Sequence, residues 1–339
     1  MFSLLQSDIS LRELNSFGLD VRARNFVRVD SIQSLAQCYQ ETAWLGGPYF
    51  ILGGGTNLLL TRDMDGVVIQ VALRGKELAA EDAEAFYVQA AAGEKWDDLV
   101  QWTLEQGYPG LENLARIPGS VGAAPIQNIG AYGIELAQRF QELEAFDPKG
   151  GELVRLDAAA CGFGYRDSLF KSRFAHLIVT HVTLRLPKVW KPVLHYGELK
   201  GVLAAEGTDT PTPRQVARVV AAIRREKLPD PAEVGNAGSF FKNPLVSSDH
   251  YARLLGQFPQ IVGYRQDSGS YKLAAAWLID QCGWKGRSMG RAGVHQRQPL
   301  VLVNRGGATG AEVLALAGAI SESVHSRFGV GLETEVIVV

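Results

Sequence analysis

Residues 111–133 read LENLARIPGSVGAAPIQNIGAYG, and this stretch decides how the rest of the chain is interpreted. It is rich in glycine, contains Pro118 and Pro125, and follows neither the 3.6-residue period of a helix nor the alternation of a strand. Irregular stretches of this length inside a domain are usually functional. We therefore expect residues 111–133 to form a binding loop, called here the 111–133 loop.

The segments on both sides of this loop indicate an α+β fold. Apolar runs and alternation predict strands, and amphipathic spacing with capping residues predicts helices. The predicted strands are 27–29, 50–52, 67–71, 86–92, 143–146, 177–186, 300–303 and 335–339. The predicted helices are one from Ile32 capped by Asp30 or Ser31, 96–106 ended by Gly107, 213–227 capped by Thr212, 271–281 and 309–328.

Breaks in these patterns divide the chain into parts. Pro187 ends the strand pattern, and residues 188–212 are expected to be rich in loops. A softer boundary falls near residues 70–85. The expected division is 1–75, 76–200 and 201–339, with a compact α+β domain at the C-terminal end.

The charge balance excludes some classes of partner. The 339 residues contain 34 Lys and Arg against 36 Asp and Glu, a net charge of −2, so the broad positive field of a nucleic-acid-binding protein is not expected. Any phosphate site must be local. The N-terminal stretch has no leader pattern, and no segment is apolar enough to cross a membrane, so we expect a cytoplasmic protein.

Cysteine and histidine spacing argues against structural or catalytic metal. Cys38, Cys161 and Cys282 are an odd number and lie far apart, which fits neither a disulfide framework nor a zinc site. The six histidines show no ligand spacing. We expect packed thiols and no metal.

Two glycine-rich segments are candidates for binding a dinucleotide. Gly53-Gly54-Gly55-Thr56-Asn57 follows an apolar strand, and its glycines would let backbone N–H groups approach a pyrophosphate, although a simple tight turn is the alternative. The run Ile117-Pro118-Gly119-Ser120-Val121-Gly122-Ala123-Ala124 precedes Gln127 and Asn128, whose amides both donate and accept hydrogen bonds. Such amides suit the pyrimidine edge of a flavin.

Three further residues are candidates for chemistry. Arg166, in GYRDS, is either a cation aimed at a substrate carboxylate or one half of a surface Arg–Asp pair. Ser239, in GNAGSFFKNP, lacks the surroundings of a nucleophile and is either a proton donor or a turn serine anchored by two phenylalanines. Glu335 precedes four apolar residues, and is either solvated or partly buried with a raised pKa.

Taken in order, GGGTN, IPGSVGAAPIQNIGAYG, GYRDS, HYGEL, RREKLPDP, GNAGSFFKNP and LETEV resemble the UDP-N-acetylenolpyruvylglucosamine reductases, specifically the type with a tyrosine-bearing loop. The resemblance covers essentially the whole chain. It implies a two-lobed FAD-binding domain of the vanillyl-alcohol-oxidase type and a C-terminal substrate-binding domain. It also implies that NADPH reduces FAD, and that the enolpyruvyl ether of a UDP-sugar is then reduced to UDP-N-acetylmuramate by a protein expected to be a monomer.

The resemblance also implies roles for individual residues. Ser239 would donate the proton, while Arg166 and Glu335 would stabilise the intermediate. The substrate would be held by Tyr132, Tyr196, Lys227, Asn243, Tyr264 and Gln298. FAD would be held by residues 53–57, Ile117, Pro118, Gly119, Ser120, Gly122, Ala123, Ala124, Gln127, Asn128, Gly130 and Arg224. Ala123 and Ala124 stand where some relatives have hydroxyl side chains, which puts side-chain contacts there in doubt.

Two other functions remain open from the sequence. A flavin oxidase on the same scaffold would reoxidise its flavin with oxygen, but many such enzymes attach the flavin through His or Cys, and neither glycine-rich segment contains one. A sensor that binds the nucleotide sugar without turnover would show binding but no NADPH oxidation.

Overall fold

The computed structural model describes residues 4–42 and 48–339, and these fold into two compact units through which the chain passes more than once. Unit 1 comprises Met1–Ile9, Ala23–Gly54 and Met64–Arg225. Unit 2 comprises Ser10–Arg22, Gly55–Asp63 and Glu226–Val339. The three-part division at residues 75 and 200 stays a prediction. Helices and strands occur in both units, so the predicted α+β class is confirmed.

Unit 1 contains two main sheets. The first has the strand order β1-β2-β5-β3, and β5 pairs in parallel with both β2 and β3. The second is antiparallel, with the order β11-β10-β12-β7-β6. The strands are β1 (Gln6–Ser10), β2 (Arg22–Val29), β3 (Tyr49–Leu52), β5 (Met64–Val71), β6 (Lys76–Glu81), β7 (Ala85–Ala91), β8 (Gly130–Ala131), β9 (Ile134–Glu135), β10 (Phe140–Asp147), β11 (Glu152–Asp157) and β12 (Ile178–Pro187).

The helices of unit 1 are α1 (Ile32–Thr42), α2 (Trp96–Gln106), α3 (Ala158–Cys161), α4 (Gly197–Ala205) and α5 (Pro213–Lys227). Several predicted ends are confirmed. The Ser31 hydroxyl accepts from the Ser34 N–H at the start of α1, and Gly107 ends α2 in the left-handed conformation at φ 79°. Trp96 and Leu99 of α2 are fully buried, and Trp96 Nε1 donates to the Leu114 carbonyl at 3.0 Å, so this helix supports the 111–133 loop that follows it.

Unit 2 contains smaller sheets, β13-β19-β18-β17 and β14-β16-β15, and the parallel pair of β4 with β20. The strands are β4 (Leu58–Leu59), β13 (Asn236–Ser239), β14 (Leu245–Val246), β15 (Gly263–Arg265), β16 (Tyr271–Leu273), β17 (Ser288–Met289), β18 (Ala292–Val294), β19 (Val301–Asn304) and β20 (Ile337–Val338). The helices are α6 (Ser248–Gln257), α7 (Ala275–Gln281) and α8 (Gly310–Phe328).

One prediction of local structure is wrong, and another is incomplete. The helix expected over 271–281 begins only at Ala275, because Tyr271–Leu273 is the central strand between β14 and β15 and the Tyr271 ring stacks on Tyr251 at 4.0 Å. Residues 188–212 are less irregular than expected, because they include α4. Leu199 and Leu203, four residues apart, bury one face of that helix in the core of unit 1.

Helix α8 gives a direct test of local stability in unit 2. Thr309 caps this helix, and its hydroxyl accepts from the Glu312 N–H while the Glu312 carboxylate accepts from the Thr309 N–H. We expect Thr309→Ala to lower the free energy of unfolding by about 0.5–2 kcal/mol in denaturant titrations. Thr210→Ala, at an exposed turn, is the control and should change it by less than about 0.5 kcal/mol. Equal effects of the two variants would contradict the capping role.

Candidate functional site

The sequence-predicted residues are distributed over both units. Unit 1 contains Gly53, Gly54, Ile117, Pro118, Gly119, Ser120, Gly122, Ala123, Ala124, Gln127, Asn128, Gly130, Tyr132, Arg166, Tyr196 and Arg224. Unit 2 contains Gly55, Thr56, Asn57, Lys227, Ser239, Asn243, Tyr264, Gln298 and Glu335. The GGGTN segment therefore begins in one unit and ends in the other.

Two glycine-rich turns of unit 1 meet at their backbones. A Cβ added to Gly54 would lie 3.0 Å from Gly119 Cα, and one added to Gly53 would lie 2.7 Å from Ser120 Oγ. Such distances leave no room for a side chain at Gly54, because the neighbouring atom is backbone. The main chain at Gly53 and Gly54 therefore lies directly against Gly119 and Ser120 of the second segment.

Hydrogen bonds between main-chain groups hold the 111–133 loop in place. Val121 N–H donates to the Glu94 carbonyl and Gly122 N–H donates to the Ala92 carbonyl, at 2.8 and 2.9 Å. The Ala123 N–H donates to the Ser120 carbonyl at 3.1 Å, so this amide is already used within the loop. Residues Val121–Gln127 form a 3₁₀ turn.

Asn128 ends that turn in the left-handed conformation at φ 45° and is fully buried. Its Nδ2 donates to Glu135 Oε2 and to the Gly164 carbonyl, at 2.9 and 3.1 Å, and its Oδ1 accepts from the Ala137 N–H. Both amide protons are used inside the protein. The predicted contact of Asn128 with FAD stays a prediction. In such a contact the second lone pair of Oδ1 would accept a hydrogen bond from FAD.

Arg166 is fixed against the 111–133 loop. Its Nη2 donates to the Gly130 carbonyl at 2.8 Å, and its guanidinium lies over the Tyr165 ring. The backbone carbonyl of Arg166 accepts from Lys171 Nζ at 2.6 Å. The backbone of Arg166 has φ 54°, which is uncommon for a residue with a long side chain. These hydrogen bonds therefore fix the orientation of the half-buried Arg166 side chain.

Three arginines of unit 1 form a local cationic region. Burial lowers the pKa of Arg224; Tyr132 and the Asp97 carboxylate oppose this shift, and the charges of Arg116 and Arg166 add to it. Arg224 Nε also donates to the Arg116 carbonyl at 3.2 Å. A chain with a net charge of −2 therefore concentrates positive charge at one place, as a binding site for an anionic group requires. Arg116 was not predicted from the sequence as a site residue, although Arg116 directly precedes the IPGS run.

Tyr132 and Tyr196 meet edge to face, with ring centroids 5.2 Å apart and planes at 73°. Burial raises the pKa of Tyr132 to about 12, so its hydroxyl stays protonated at neutral pH and can donate a hydrogen bond. The Tyr196 side chain is about half exposed. The fold brings these two residues together although they are 64 positions apart in the sequence, and their predicted contacts with substrate stay predictions.

In unit 2 the backbone places Ser239 and Glu335 side by side. The Glu335 N–H donates at 2.8 Å to the carbonyl of Phe240, the residue after Ser239, and the next residues continue as a bridge between Phe241 and Thr334. Phe240 is fully buried, whereas Ser239 is half-buried. The predicted anchoring of this turn by its phenylalanines is confirmed.

The rest of the glycine-rich turn supports Glu335. Asn57 Nδ2 donates to the Glu335 carbonyl at 3.1 Å, and the Asn57 carbonyl accepts from the Ile337 N–H. A Cβ at Gly55 would overlap the Leu14 carbonyl oxygen at 1.9 Å, so glycine is required there by packing. The predicted contacts of Gly55, Thr56 and Asn57 with FAD stay predictions.

The other predicted substrate residues have mixed surroundings. Asn243 Oδ1 accepts from the Ala275 N–H at the start of α7, and Gln298 Oε1 accepts from the Leu300 N–H. Their amide N–H groups are the ends that suit an anionic ligand. Tyr264 lies on β15 with 59% of its surface exposed, and Lys227 is the last residue of α5.

The described residues hold no group of His, Cys, Asp and Glu side chains that could bind a metal ion. Cys38 and Cys161 are fully buried, and burial raises the pKa of Cys161 to about 12, which makes it unreactive. Across residues 4–42 and 48–339, none of the helices is both long and apolar enough to span a membrane.

Two family models match the chain, and so do curated relatives. A model described as "UDP-N-acetylenolpyruvoylglucosamine reductase, C-terminal domain" matches residues 230–339, and a model described as "FAD binding domain" matches residues 23–157. A UDP-N-acetylenolpyruvoylglucosamine reductase from Paraburkholderia phymatum is 55% identical over 332 residues, covering 97% of this chain and 96% of the relative. The chain belongs to the UDP-N-acetylenolpyruvoylglucosamine reductase family.

Other members of this family agree with that assignment. The Burkholderia mallei reductase is 53% identical over 337 residues, covering 98% of this chain and 96% of the relative. The crystal structure of the Thermus caldophilus reductase is similar to this fold with a TM-score of 0.66 at 26% identity, covering 98% of this chain and 99% of the other. The resemblance stated from the ordered motifs is confirmed, and the protein is a flavoprotein oxidoreductase of this family.

The geometry of unit 1 fits the FAD that this family assignment provides. The joined turns at Gly53-Gly54 and Gly119-Ser120 present main chain without bulky side chains, as a pyrophosphate requires. The neighbouring Arg224 and Arg116 supply positive charge. These residues are the ones we expect to hold the cofactor.

The close approach of the two turns yields a test. Gly54→Val should lower the flavin bound per protein several-fold, because the new side chain must push against the Gly119 backbone. The measurement is the flavin absorbance of the purified protein relative to its protein absorbance. Gly318→Val, at an exposed position of α8 where an added Cβ meets nothing within 4 Å, is the control. Full flavin occupancy in Gly54→Val would contradict this role.

Proposed function

We propose that this protein reduces the enolpyruvyl group of UDP-N-acetyl-3-O-(1-carboxyvinyl)-glucosamine to UDP-N-acetylmuramate, with NADPH as the source of electrons, in an early step of peptidoglycan synthesis. Family membership over 97% of the chain supports the substrate class. The observation that carries the mechanism is the hydrogen bond from the Glu335 N–H to the Phe240 carbonyl, which joins the backbone segments that carry Glu335 and Ser239.

FAD, when bound, accepts a hydride from NADPH and supplies it to the terminal vinyl carbon of the substrate. Hydride addition drives negative charge through the neighbouring carbon into the substrate carboxylate. The protein's own task is therefore to meet that charge and to deliver one proton to the carbon.

Ser239 is proposed as the proton donor. Ser239 is half-buried at the end of β13, and Gly238 before it has no side chain to cover the hydroxyl. The left-handed φ of 71° at Gly238 sets the turn that presents this hydroxyl. An alcohol is a weak acid, but the carbon of an enolate-like intermediate is basic enough to take its proton. Positioned proton transfer typically contributes about 10²–10⁴ in rate.

Arg166 and Glu335 are proposed to stabilise the negative charge. The Arg166 guanidinium suits the substrate carboxylate because it is planar and always charged. Its bond to the Gly130 carbonyl, and that of Lys171 to its own carbonyl, supply the preorganisation that such stabilisation needs. Glu335 must be protonated to contribute as a hydrogen-bond donor. One well-placed donor in comparable sites contributes about 2.7–4 kcal/mol.

Binding of the nucleotide is proposed for the remaining predicted residues. Tyr132 and Tyr196 offer two hydroxyl donors in unit 1, since a tyrosine hydroxyl is protonated at neutral pH. In unit 2 the diphosphate would be bound by Lys227 and by the amide N–H groups of Asn243 and Gln298, with Tyr264 as a further contact. A cytoplasmic location and a monomeric state stay predictions.

The proton-donor role predicts a split between the two half-reactions. In Ser239→Ala, NADPH should still reduce the flavin at a rate within about twofold of the wild type, while reoxidation by the enolpyruvyl substrate should slow by about 10²–10⁴. Stopped-flow absorbance of the flavin measures both steps separately.

A matched control is Ser323→Ala, which removes a hydroxyl that donates to the Ala319 carbonyl within α8 and should leave both steps unchanged. Equal slowing of both steps in Ser239→Ala would argue against proton donation. Fast reoxidation of the wild type by oxygen, with no response to the enolpyruvyl substrate, would favour the oxidase, and binding without NADPH oxidation would favour the sensor.

A further inference from the structure

The segment from Lys188 to Tyr196, called here the tyrosine segment, connects β12 to α4 and carries little regular structure. Val189 is 77% exposed, so this segment is not held by burial along its whole length. Two buried polar residues of the 111–133 loop fix it instead. Trp190 Nε1 donates to Glu112 Oε1 at 2.8 Å, and Asn113 Nδ2 donates to the Val193 carbonyl at 2.9 Å.

Asn113 makes a second bond with the same group. Its Nδ2 also donates to the Tyr132 carbonyl at 2.8 Å. One amide thus joins the main chain of Tyr132 to the main chain three residues before Tyr196. The two rings that these segments carry are the ones that meet edge to face at 5.2 Å.

The contact between the two segments is tight in other places as well. A Cβ added to Gly133, the residue after Tyr132, would lie 2.5 Å from His195 Nε2, the residue before Tyr196. Both tyrosines are therefore flanked by points at which the segments touch. Their relative position depends on these contacts rather than on a helix or a sheet.

Burying the Asn113 side chain costs free energy that an apolar residue at this position would not cost. It is fully buried, and in the described part of the chain its Oδ1 has no hydrogen-bond partner. A buried acceptor without a partner is unfavourable, and a leucine with the same branching would avoid that cost. The side chain is therefore best explained by its two donated bonds.

We propose that Asn113 is a positioning residue that sets the separation of Tyr132 and Tyr196 for the nucleotide part of the substrate. Glu112 contributes to the same end through Trp190. This inference rests on the proposed function, because it assigns the two tyrosines to substrate binding. It goes beyond that function in naming residues to which the proposed function gives no role.

Asn113→Leu removes both donated bonds while keeping the branching and the number of side-chain heavy atoms. We expect the KM for the enolpyruvyl substrate to rise about tenfold, since two buried hydrogen bonds no longer fix the tyrosines. Flavin content and the rate of flavin reduction by NADPH should stay within twofold of the wild type. Thr180→Val is the control in the same unit, because it removes a fully buried hydroxyl that donates to the Glu144 carbonyl. It should leave KM unchanged.

A second measurement does not depend on turnover. Hydrogen exchange of peptides covering residues 189–197 should become faster in Asn113→Leu and stay unchanged in Thr180→Val. Trp190→Phe, which keeps the ring but removes the indole N–H, should raise exchange and KM in the same direction by a smaller amount. This variant also keeps the proposal open to refutation if Asn113→Leu does not fold.

The outcomes separate the two proposals. A wild-type protein that does not reduce the enolpyruvyl substrate would overturn the proposed function itself. Wild-type turnover with an unchanged KM in Asn113→Leu, or an equal loss in both half-reactions, would overturn the positioning role alone. Unchanged exchange of residues 189–197 would do the same.

Discussion

The amide of Asn128 is the interaction on which the site in unit 1 depends most. The 111–133 loop contains only short 3₁₀ turns and the two-residue strand β8, so a long ladder of backbone pairing does not hold its shape. The buried Asn128 side chain ties it to Glu135 in β9, to Ala137, and to the Gly164 carbonyl of the segment that bears Arg166. An asparagine suits this place because it tolerates the left-handed backbone and offers donors and an acceptor on one small group.

Positive charge near this loop is concentrated in a few arginine side chains. Its net charge is nearly zero, yet its ligands carry carboxylate and diphosphate groups. Arg116, Arg166 and Arg224 concentrate positive charge, and each is restrained by backbone contacts of the same unit. Groups that are held before the ligand arrives lose less entropy on binding and need not reorganise during the reaction.

Much of this arrangement could be predicted from the sequence, because glycine and proline break periodicity visibly. The 111–133 loop and the end of α2 at Gly107 follow from local rules. The start of α7 does not, because Tyr271–Leu273 is compatible with a helix and becomes a strand only through its neighbours β14 and β15. Helix α6 was missed although Ser247 caps it, since its apolar positions are few.

The same limit applies to the site. The residues with obvious chemistry, Arg166, Ser239 and Glu335, were predicted from ordered motifs. Asn113 was not, because an asparagine before a glycine-rich loop carries no signal of its own. Its importance comes from two carbonyl groups, one of them 80 residues away, which only the fold brings to it.

Unit 2 is assembled from segments that are far apart in the sequence and are therefore synthesised at different times. β4, at Leu58 and Leu59, pairs only with Ile337 and Val338, and Thr61 Oγ1 donates to the Val339 carbonyl across 278 residues. A ribosome would release β4 long before its partner exists, so this pairing must close late and over a large loop, which slows folding. A fragment covering only residues 226–339 would lack β4, and β20 would then expose an unpaired edge that invites association between copies.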